Sequence, residues 1–444
     1  MSPPTVASLF SGCGGLDLGF VQAGFQLVHA FDSDSAAVSV YQRNVHHAAE
    51  CVDVRSEAFR TAVAALGAVD VVLGGFPCQG FSKAGPKCEQ DERNTLYREM
   101  LHAVSVLKPS MFLAENVDGL RQNFQGKYVE RIQSDFATLG YHVETRVLDA
   151  VEFGVPQHRR RIFFVGSLTS LKFDWPTPTH EPRSRNGEFR IHDELPLFDA
   201  ARRTLERPRT IRDAIGDLTH VDDALPDHRV VKNWPRKYEH VFAAIKPGQK
   251  LCNVRHASTS VYTWQIPEAF GRTTTLQRLI LETISKNRRH KQYGSIPNGN
   301  PLLPEVIAHL AGLSTESVQE QLDLLEHCGF VKRMGEKFDL KGAMFCSGLF
   351  KRPRWDEPAP TVLTNFHNPR YFLHPSENRP FSLRECARLQ TFPDDFVFAV
   401  DGSDASLIDG YRLVGNAVPP TVGRAFGAAF MRTLGQPVLA AAIA

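Results

Sequence analysis

Between residues 4 and 170, short apolar runs alternate with stretches of helical periodicity, and that alternation restricts this part of the chain to a layered α/β fold. Val6–Phe10, Gln26–Phe31, Val69–Leu73, Ser110–Ala114, Tyr141–Leu148 and Arg161–Val165 read as strands. Leu16–Ala23, Ala36–Val45, Leu96–Leu107 and Tyr128–Leu139 read as helices between them. A largely parallel sheet is therefore expected. From 171 the texture changes. Pro176, Pro178, Pro182, Pro196, Pro208, Pro226 and Pro235 break any long periodicity, so 171–380 is expected to form a second domain of loops and short strands. Regular helix returns after Phe381, where Ser382-Leu383-Arg384-Glu385 has capping-box spacing and opens a helix through Leu389. A last helix, Thr421 to Leu434, follows a Pro-Pro start. The chain is thus expected to leave a first domain (1–170), build a second, and return to the first over 381–444.

Composition narrows the function classes. The 444 residues are 42% hydrophobic and 23% charged, an ordinary globular balance, long enough for two or three domains at roughly 150 residues each. Net charge is only +2, so any nucleic-acid role must rest on local patches. Candidates are Arg202-Arg203, Arg207-Pro208-Arg209, Arg236-Lys237, Lys286 to Lys291 and Lys351-Arg352-Pro353-Arg354. No apolar run of membrane-spanning length and no secretory signal are read, so no membrane association is expected. The eight cysteines at 13, 51, 78, 88, 252, 328, 346 and 386 show neither a C-x-x-C pair nor zinc spacing. They read as free thiols in a reducing cytosol, with no metal site.

Within the second domain, 274–345 has its own pattern. Leu276–Ile284, Glu305–Leu310 and Thr315–His327 read as three helices, and Phe330–Met334 with Lys337–Leu340 as a hairpin around Gly335-Glu336. This order resembles a winged helix-turn-helix, whose third helix would enter a major groove. That helix, however, carries Glu316, Glu320, Asp323 and Glu326, and acidic faces repel phosphates. A DNA-reading role and a structural or protein-contacting role both stay open.

Five stretches are singled out for chemistry. Phe10-Ser11-Gly12-Cys13-Gly14-Gly15 takes a strand through glycines into a helix, where backbone can approach a ligand and the helix start favours an anion. Asp32 lies twenty residues past Gly12 at the next strand end, where an acid takes ribose hydroxyls, with Asp34 competing and Asp53 closing a further strand end. Gly74-Gly75-Phe76-Pro77-Cys78 places one thiol on a glycine-rich turn at a strand end, as a nucleophile requires. Glu115, in Ala114-Glu115-Asn116-Val117, ends another strand and points to the crevice where such sheets bind ligands. Arg159 and Arg161 alternate into a strand and would face one side. Tyr411 to Pro420 reads as a loop before the final helix.

Taken together, Phe10–Gly19, Gly74–Ser82, Glu115-Asn116-Val117, Gln157–Arg161, Arg384–Pro393 and Gly415–Pro419 resemble, in order and approximate spacing, the cytosine carbon-5 DNA methyltransferases. The resemblance covers the first 170 residues and the C-terminal return; the middle is similar only in position and character to that family's variable target-recognition region. It implies an S-adenosylmethionine-dependent methyltransferase fold, Rossmann-like, with a mostly parallel sheet, helices on both faces and a smaller irregular target-recognition domain. It implies Cys78 as nucleophile, Glu115 as the acid at the cytosine N3 and amine, and Arg159 and Arg161 as the arginines near the nucleotide and catalytic loop. Phe10, Gly12, Gly15, Asp32, Asp53, Asn416 and Val418, with Pro77 and Leu96, are implied S-adenosylmethionine contacts. The implied substrate is a flipped cytosine in a specific double-stranded DNA sequence. The implied setting is a bacterial cytoplasm, a monomer on DNA, and a cognate restriction endonuclease acting on the same site. Three other readings stay in view, one of them a non-catalytic DNA-binding relative, against which an intact Cys78 and Glu115 speak. An RNA substrate would keep the chemistry, and a nicotinamide dehydrogenase would use the first glycine turn but leave Cys78, Glu115 and the arginines unexplained.

Overall fold

The computed structural model describes residues 2–77, 96–122, 126–169, 173–182, 205–218, 220–221, 224–255, 258–296, 298–342 and 348–436. In chain order the first elements are β1 (Thr5–Leu9), α1 (Gly15–Gln22), β2 (Gln26–Asp32), α2 (Ser35–Asn44), β3 (Ala49–Cys51), α3 (Glu57–Ala65) and β4 (Val71–Gly74). Then come α4 (Tyr97–Leu107), β5 (Met111–Val117), α5 (Gly119–Gln122), α6 (Lys127–Ala137), β6 (His142–Asp149), β7 (Arg160–Ser167) and α7 (Ile211–Ile215). The middle holds α8 (Tyr238–Ala244), β8 (Lys250–Leu251), β9 (Ser260–Val261), α9 (Pro267–Phe270), α10 (Thr275–Asn287), α11 (Pro304–Ala311), α12 (Thr315–His327), β10 (Val331–Met334) and β11 (Lys337–Leu340). The last helices are α13 (Leu383–Leu389), α14 (Asp404–Asn416) and α15 (Pro420–Thr433).

Seven strands form one sheet in the order β3-β2-β1-β4-β5-β7-β6. The pairs β3-β2, β2-β1, β1-β4 and β4-β5 are parallel, and β7 runs antiparallel to both β5 and β6. The mostly parallel α/β sheet expected from sequence is present. Residues alternate between two cores with the period of two that a pleated strand imposes. Val6, Val71, Leu73, Met111, Leu113, Phe163 and Val165 bury into one core with α1 and α15. Ala7, Leu9, Val72, Phe112, Ala114, Ile162 and Phe164 bury into the other with α3, α4 and α6. A sheet covered on both faces needs apolar residues at successive positions, which is why its strands read as unbroken apolar runs.

The chain divides into two compact units, one of Met1–Val231, Asp356–Asn365 and Ser382–Ala444, the other of Lys232–Trp355 and Phe366–Phe381. The first extends past the proline onset because Phe173 and Trp175 pack into the α1/α15 core, and Glu144 accepts from the Trp175 Nε1 at 2.9 Å. In the second unit, α10, α11, α12 and the β10-β11 hairpin share a core with Cys252, Val254 and Trp264. Arg288 is buried there against Asp339, Nε to Oδ1 at 2.8 Å and Nη2 to Oδ2 at 2.9 Å.

One local expectation is corrected. The stretch from Tyr411 is the end of helix α14, which continues to Asn416. Gly410 and Gly415 weaken helix propensity there, but a Cβ on Gly410 would stand 2.4 Å from Leu383 Cδ2 and one on Gly415 2.3 Å from the Thr364 amide. Close packing needs those glycines, and tertiary contact overrides their propensity.

Candidate active site

The carboxyl ends of β1, β2, β4, β5 and the start of β7 meet at one edge of the first unit's sheet. Phe10, just past β1, has φ +53°, and Gly12 and Gly14 have φ +55° and +87°. The turn is held from below. Ser11 N donates to Phe31 O at 3.1 Å, and Gly12 N donates to Asp32 Oδ2 at 2.8 Å. A Cβ on Gly12 would meet nothing within 4 Å, so that face of the turn borders open space, whereas one on Gly15 would stand 2.3 Å from Val418 O. Gly15 and Val418, far apart in sequence, are thus in direct contact.

The structure separates the two competing aspartates. Asp34 caps α2, accepting from Ala36 N at 3.1 Å and Ala37 N at 3.4 Å, and pairs with Arg412. Asp32 stays at the strand end, accepting from Gly12 N and from Asp34 N at 2.9 Å, and burial raises its carboxyl above the usual range. Asp53 lies two residues past β3, exposed and bound bidentately by Arg55, whose hydrogen bonds lower its pKa.

Cys78 lies outside the described residues, but its approach is defined. Gly75 N donates to Leu9 O at 3.4 Å, and Asn116 Nδ2 donates to Phe76 O at 3.0 Å. Phe76 is buried beside Tyr97, Pro77 is half-buried, and Leu96 stands just before α4. A Cβ on Gly75 would stand 3.8 Å from Glu115 Oε2. The segment leading to the thiol therefore passes beside the Glu115 carboxyl, and the missing side chain at 75 leaves that space clear.

Register fixes Glu115's neighbours. Glu115 pairs with Phe163 and Val117 with Arg161, so Glu115 and Arg161 project from the same sheet face. Arg161 Nε stands 2.8 Å from Glu115 Oε1. At that distance the guanidinium and the carboxyl form an ion pair. Burial pushes the Glu115 carboxyl up, and the Arg161 and Arg159 cations only partly offset it. Arg159, 1% exposed, turns elsewhere: Nη1 donates to Val362 O at 3.2 Å, and Nη2 to Gly415 O at 2.9 Å and Asn416 O at 3.3 Å. Arg159 and Arg161 both border a small pocket with Phe153, Phe163, Val418 and Val422 in its wall. Asn416 is exposed at the end of α14.

Residues 5–432 match the family of C-5 cytosine-specific DNA methylases. The chain belongs to that family. It is 33% identical over 444 aligned positions to the type II methyltransferase M.AgeI of Thalassovita gelatinovora, covering 94% of this chain and 96% of that one. It is 30% identical to the type II methyltransferase M.XorII of Xanthomonas oryzae pv. oryzae, covering 98% and 86%. Its fold matches a solved Entamoeba histolytica methyltransferase, EhMeth, at TM-score 0.52 and 13% identity, over 98% of this chain and 99% of that one.

Several of the methylase's basic runs are structural. Arg207 is bound by Asp213 at 2.7 and 2.8 Å, Arg288 is buried against Asp339, and buried Arg352 donates to the carbonyls of Phe242, Ile245, His374 and Glu377. Arg236, Lys237, Arg289 and Lys291 are exposed, while Arg202-Arg203 lies outside the described residues. Among the described residues, no helix is long and apolar enough to cross a membrane and no group of His, Cys, Asp and Glu could hold a metal ion. Asn116 and Gln390 carry no role in the sequence pattern, since nothing local shows that an amide will latch a distant carbonyl.

Proposed function

We propose that the methylase transfers a methyl group from S-adenosylmethionine to carbon-5 of a cytosine flipped out of a specific double-stranded DNA sequence, through a transient bond to Cys78. The observation that carries this reading is Glu115: a buried carboxyl with raised pKa, held by Arg161 on its own sheet face and lying beside the segment that leads to Cys78. The chain's residues also fit the cofactor. The open-faced Gly12 turn and the Asp32 carboxylate at the next strand end match a nucleoside with ribose hydroxyls and no pyrophosphate. Phe10, Gly15, Asp53, Pro77, Leu96, Asn416 and Val418 are the further contacts we assign to it.

Cytosine carbon-5 is a weak nucleophile. The Cys78 thiolate adds to carbon-6, which breaks the ring's conjugation and makes carbon-5 enamine-like. Negative charge would otherwise gather at N3; Glu115, whose pKa burial raises, donates a proton there in its acid form and faces the exocyclic amine. Arg161 orients the carboxyl from the same face. Bound S-adenosylmethionine supplies the electrophilic methyl that carbon-5 accepts. Loss of the carbon-5 proton then returns the electron pair to the ring and expels the thiolate from carbon-6. Because the reacting carbons are shielded in a duplex, the base must leave the stack. Arg236, Lys237, Arg289 and Lys291 are candidate phosphate contacts. The type II names of the relatives support a role beside a restriction endonuclease that cuts the same sequence. The bacterial cytoplasm as its setting and a monomer on DNA belong to the same reading.

Cys78→Ala is expected to abolish methyl transfer while leaving DNA binding measurable. Bisulfite sequencing of plasmid from cells expressing each form reports activity and target sequence together. Ordinary methylation by the variant refutes the role of Cys78.

A further inference from the structure

The first unit's chain is threaded by a strap, Asp356–Asn365, that continues at both ends into residues of the second unit. The strap is bonded along its length. Ala359 N donates to Pro156 O at 2.8 Å, and His158 N to Ala359 O at 2.9 Å. Thr361 Oγ1 donates to His158 O at 2.6 Å, and Val362 N to Gln157 Oε1 at 3.0 Å. The next carbonyl, Val362 O, is held by Arg159 Nη1. The other half of the same guanidinium holds Gly415 O and Asn416 O. A second buried path runs in parallel: Gln157 Nε2 donates to Gln390 Oε1 at 2.8 Å, and Gln390 Nε2 to Val414 O at 2.6 Å. Gln157 and Gln390 are fully buried.

We propose that Arg159 is a positioning residue, which with the Gln157–Gln390 amide pair clamps the strap to the Gly415–Val418 segment and so sets that segment for the cofactor. It is the planar fork that does this. Two nitrogens in fixed relation hold carbonyls from two segments, which a single ammonium cannot reproduce. Arg161 follows a different course, to the Glu115 carboxyl. Two arginines two residues apart thereby serve different ends of the reaction: Arg161 the base, Arg159 the cofactor segment. Of the three Arg159 guanidinium nitrogens, Nε alone makes no hydrogen bond to the described residues. This inference rests on the cofactor assignment of Asn416 and Val418 made above.

The test measures S-adenosylhomocysteine binding to the full chain without DNA by calorimetry, and methylation kinetics on unmethylated phage DNA. Arg159→Lys is expected to weaken binding and raise KM for S-adenosylmethionine by roughly tenfold or more, the loss of charge-assisted bonds, while kcat at saturating cofactor changes far less. Thr361→Val removes one strap bond and is expected to shift binding the same way by a smaller factor. If Arg159→Lys lowers kcat and leaves binding unchanged, Arg159 acts on the base and the inference is overturned. If Arg159→Lys fails to fold, unchanged binding in Thr361→Val overturns it. If the unmodified chain itself does not bind S-adenosylhomocysteine, the cofactor assignment falls instead.

Discussion

A carboxyl that donates a proton must keep one at working pH, and burial allows Glu115 to do so. Its pKa is raised, so the donating form survives to higher pH than in an ordinary glutamate, and the rate it supports falls as pH rises through that raised value. Glu115→Gln is expected to lower kcat by roughly 10²–10⁴-fold and to remove this alkaline fall from the pH profile. An unchanged profile shape in the variant would argue against Glu115 as the donor. Asp17 is a buried acid of another kind. In the first turn of α1 it accepts from Ser8 Oγ at 2.9 Å, and burial raises its pKa to about 6. An acid with a raised folded pKa holds a proton that the unfolded chain has already lost. Its stabilising contribution is therefore complete below pH ~4 and lost as pH rises through about 6, a span worth up to about 3 kcal/mol. Asp17→Asn is expected to flatten the stability of the first unit between those limits, measured by urea unfolding across pH. Sequence pattern placed Asp32, Glu115 and the arginines at strand ends, and the structure has them there. What each side chain bonds to was not legible from sequence, because Asp34's choice of its own helix amides and Arg159's choice of Val362 and Gly415 depend on partners up to 256 positions away.

At the scale of elements, α1 lies on α15 through backbone. A Cβ on Gly19 would stand 2.4 Å from Pro420 O and Arg424 N, and one on Gly423 2.5 Å from Leu16 O. Around these contacts Phe20 meets Phe430 edge-on with centroids 5.4 Å apart. Gly19→Ala has no flexible neighbour to displace, so it is expected to cost roughly 1–3 kcal/mol and to lower Tm by several degrees in calorimetry. Because Gly15 and Val418 sit at the same junction, cofactor affinity is expected to fall with it. The strands and helices of this layer were legible because both faces of the sheet are covered and periodicity is strong. Helix α14 was not, since Gly410 and Gly415 mimic a loop locally and only their neighbours Leu383 and Thr364 explain them.

For the whole molecule, sequence texture and compactness divide the chain at different places. The proline onset at 171 marks a change of texture, whereas compactness follows burial: Phe173 and Trp175 belong to the first core, α7 packs on α13, and the strap 356–365 returns early. The three helices and hairpin within the second unit were legible from their periodicity, and their charge speaks to what they do. On α12, Glu316, Glu320, Asp323 and Leu324 are exposed, while Val318, Leu322 and Leu325 are buried. Arg333 of β10, a cation on the wing, is held by Asp323 and by Glu326 at 3.1 Å and lies 4.4 Å over the Phe338 ring. A helix seated in a major groove with that face outward would bring carboxylates to phosphates, at a cost that no counterion release offsets. The double variant Glu316→Lys, Glu320→Lys is therefore expected to leave the methylated sequence unchanged in bisulfite sequencing. The slope of log affinity against log salt is likewise expected to stay within about one of the parent, since new phosphate contacts by two lysines would steepen it by about two. A changed target sequence would place α12 in the groove after all.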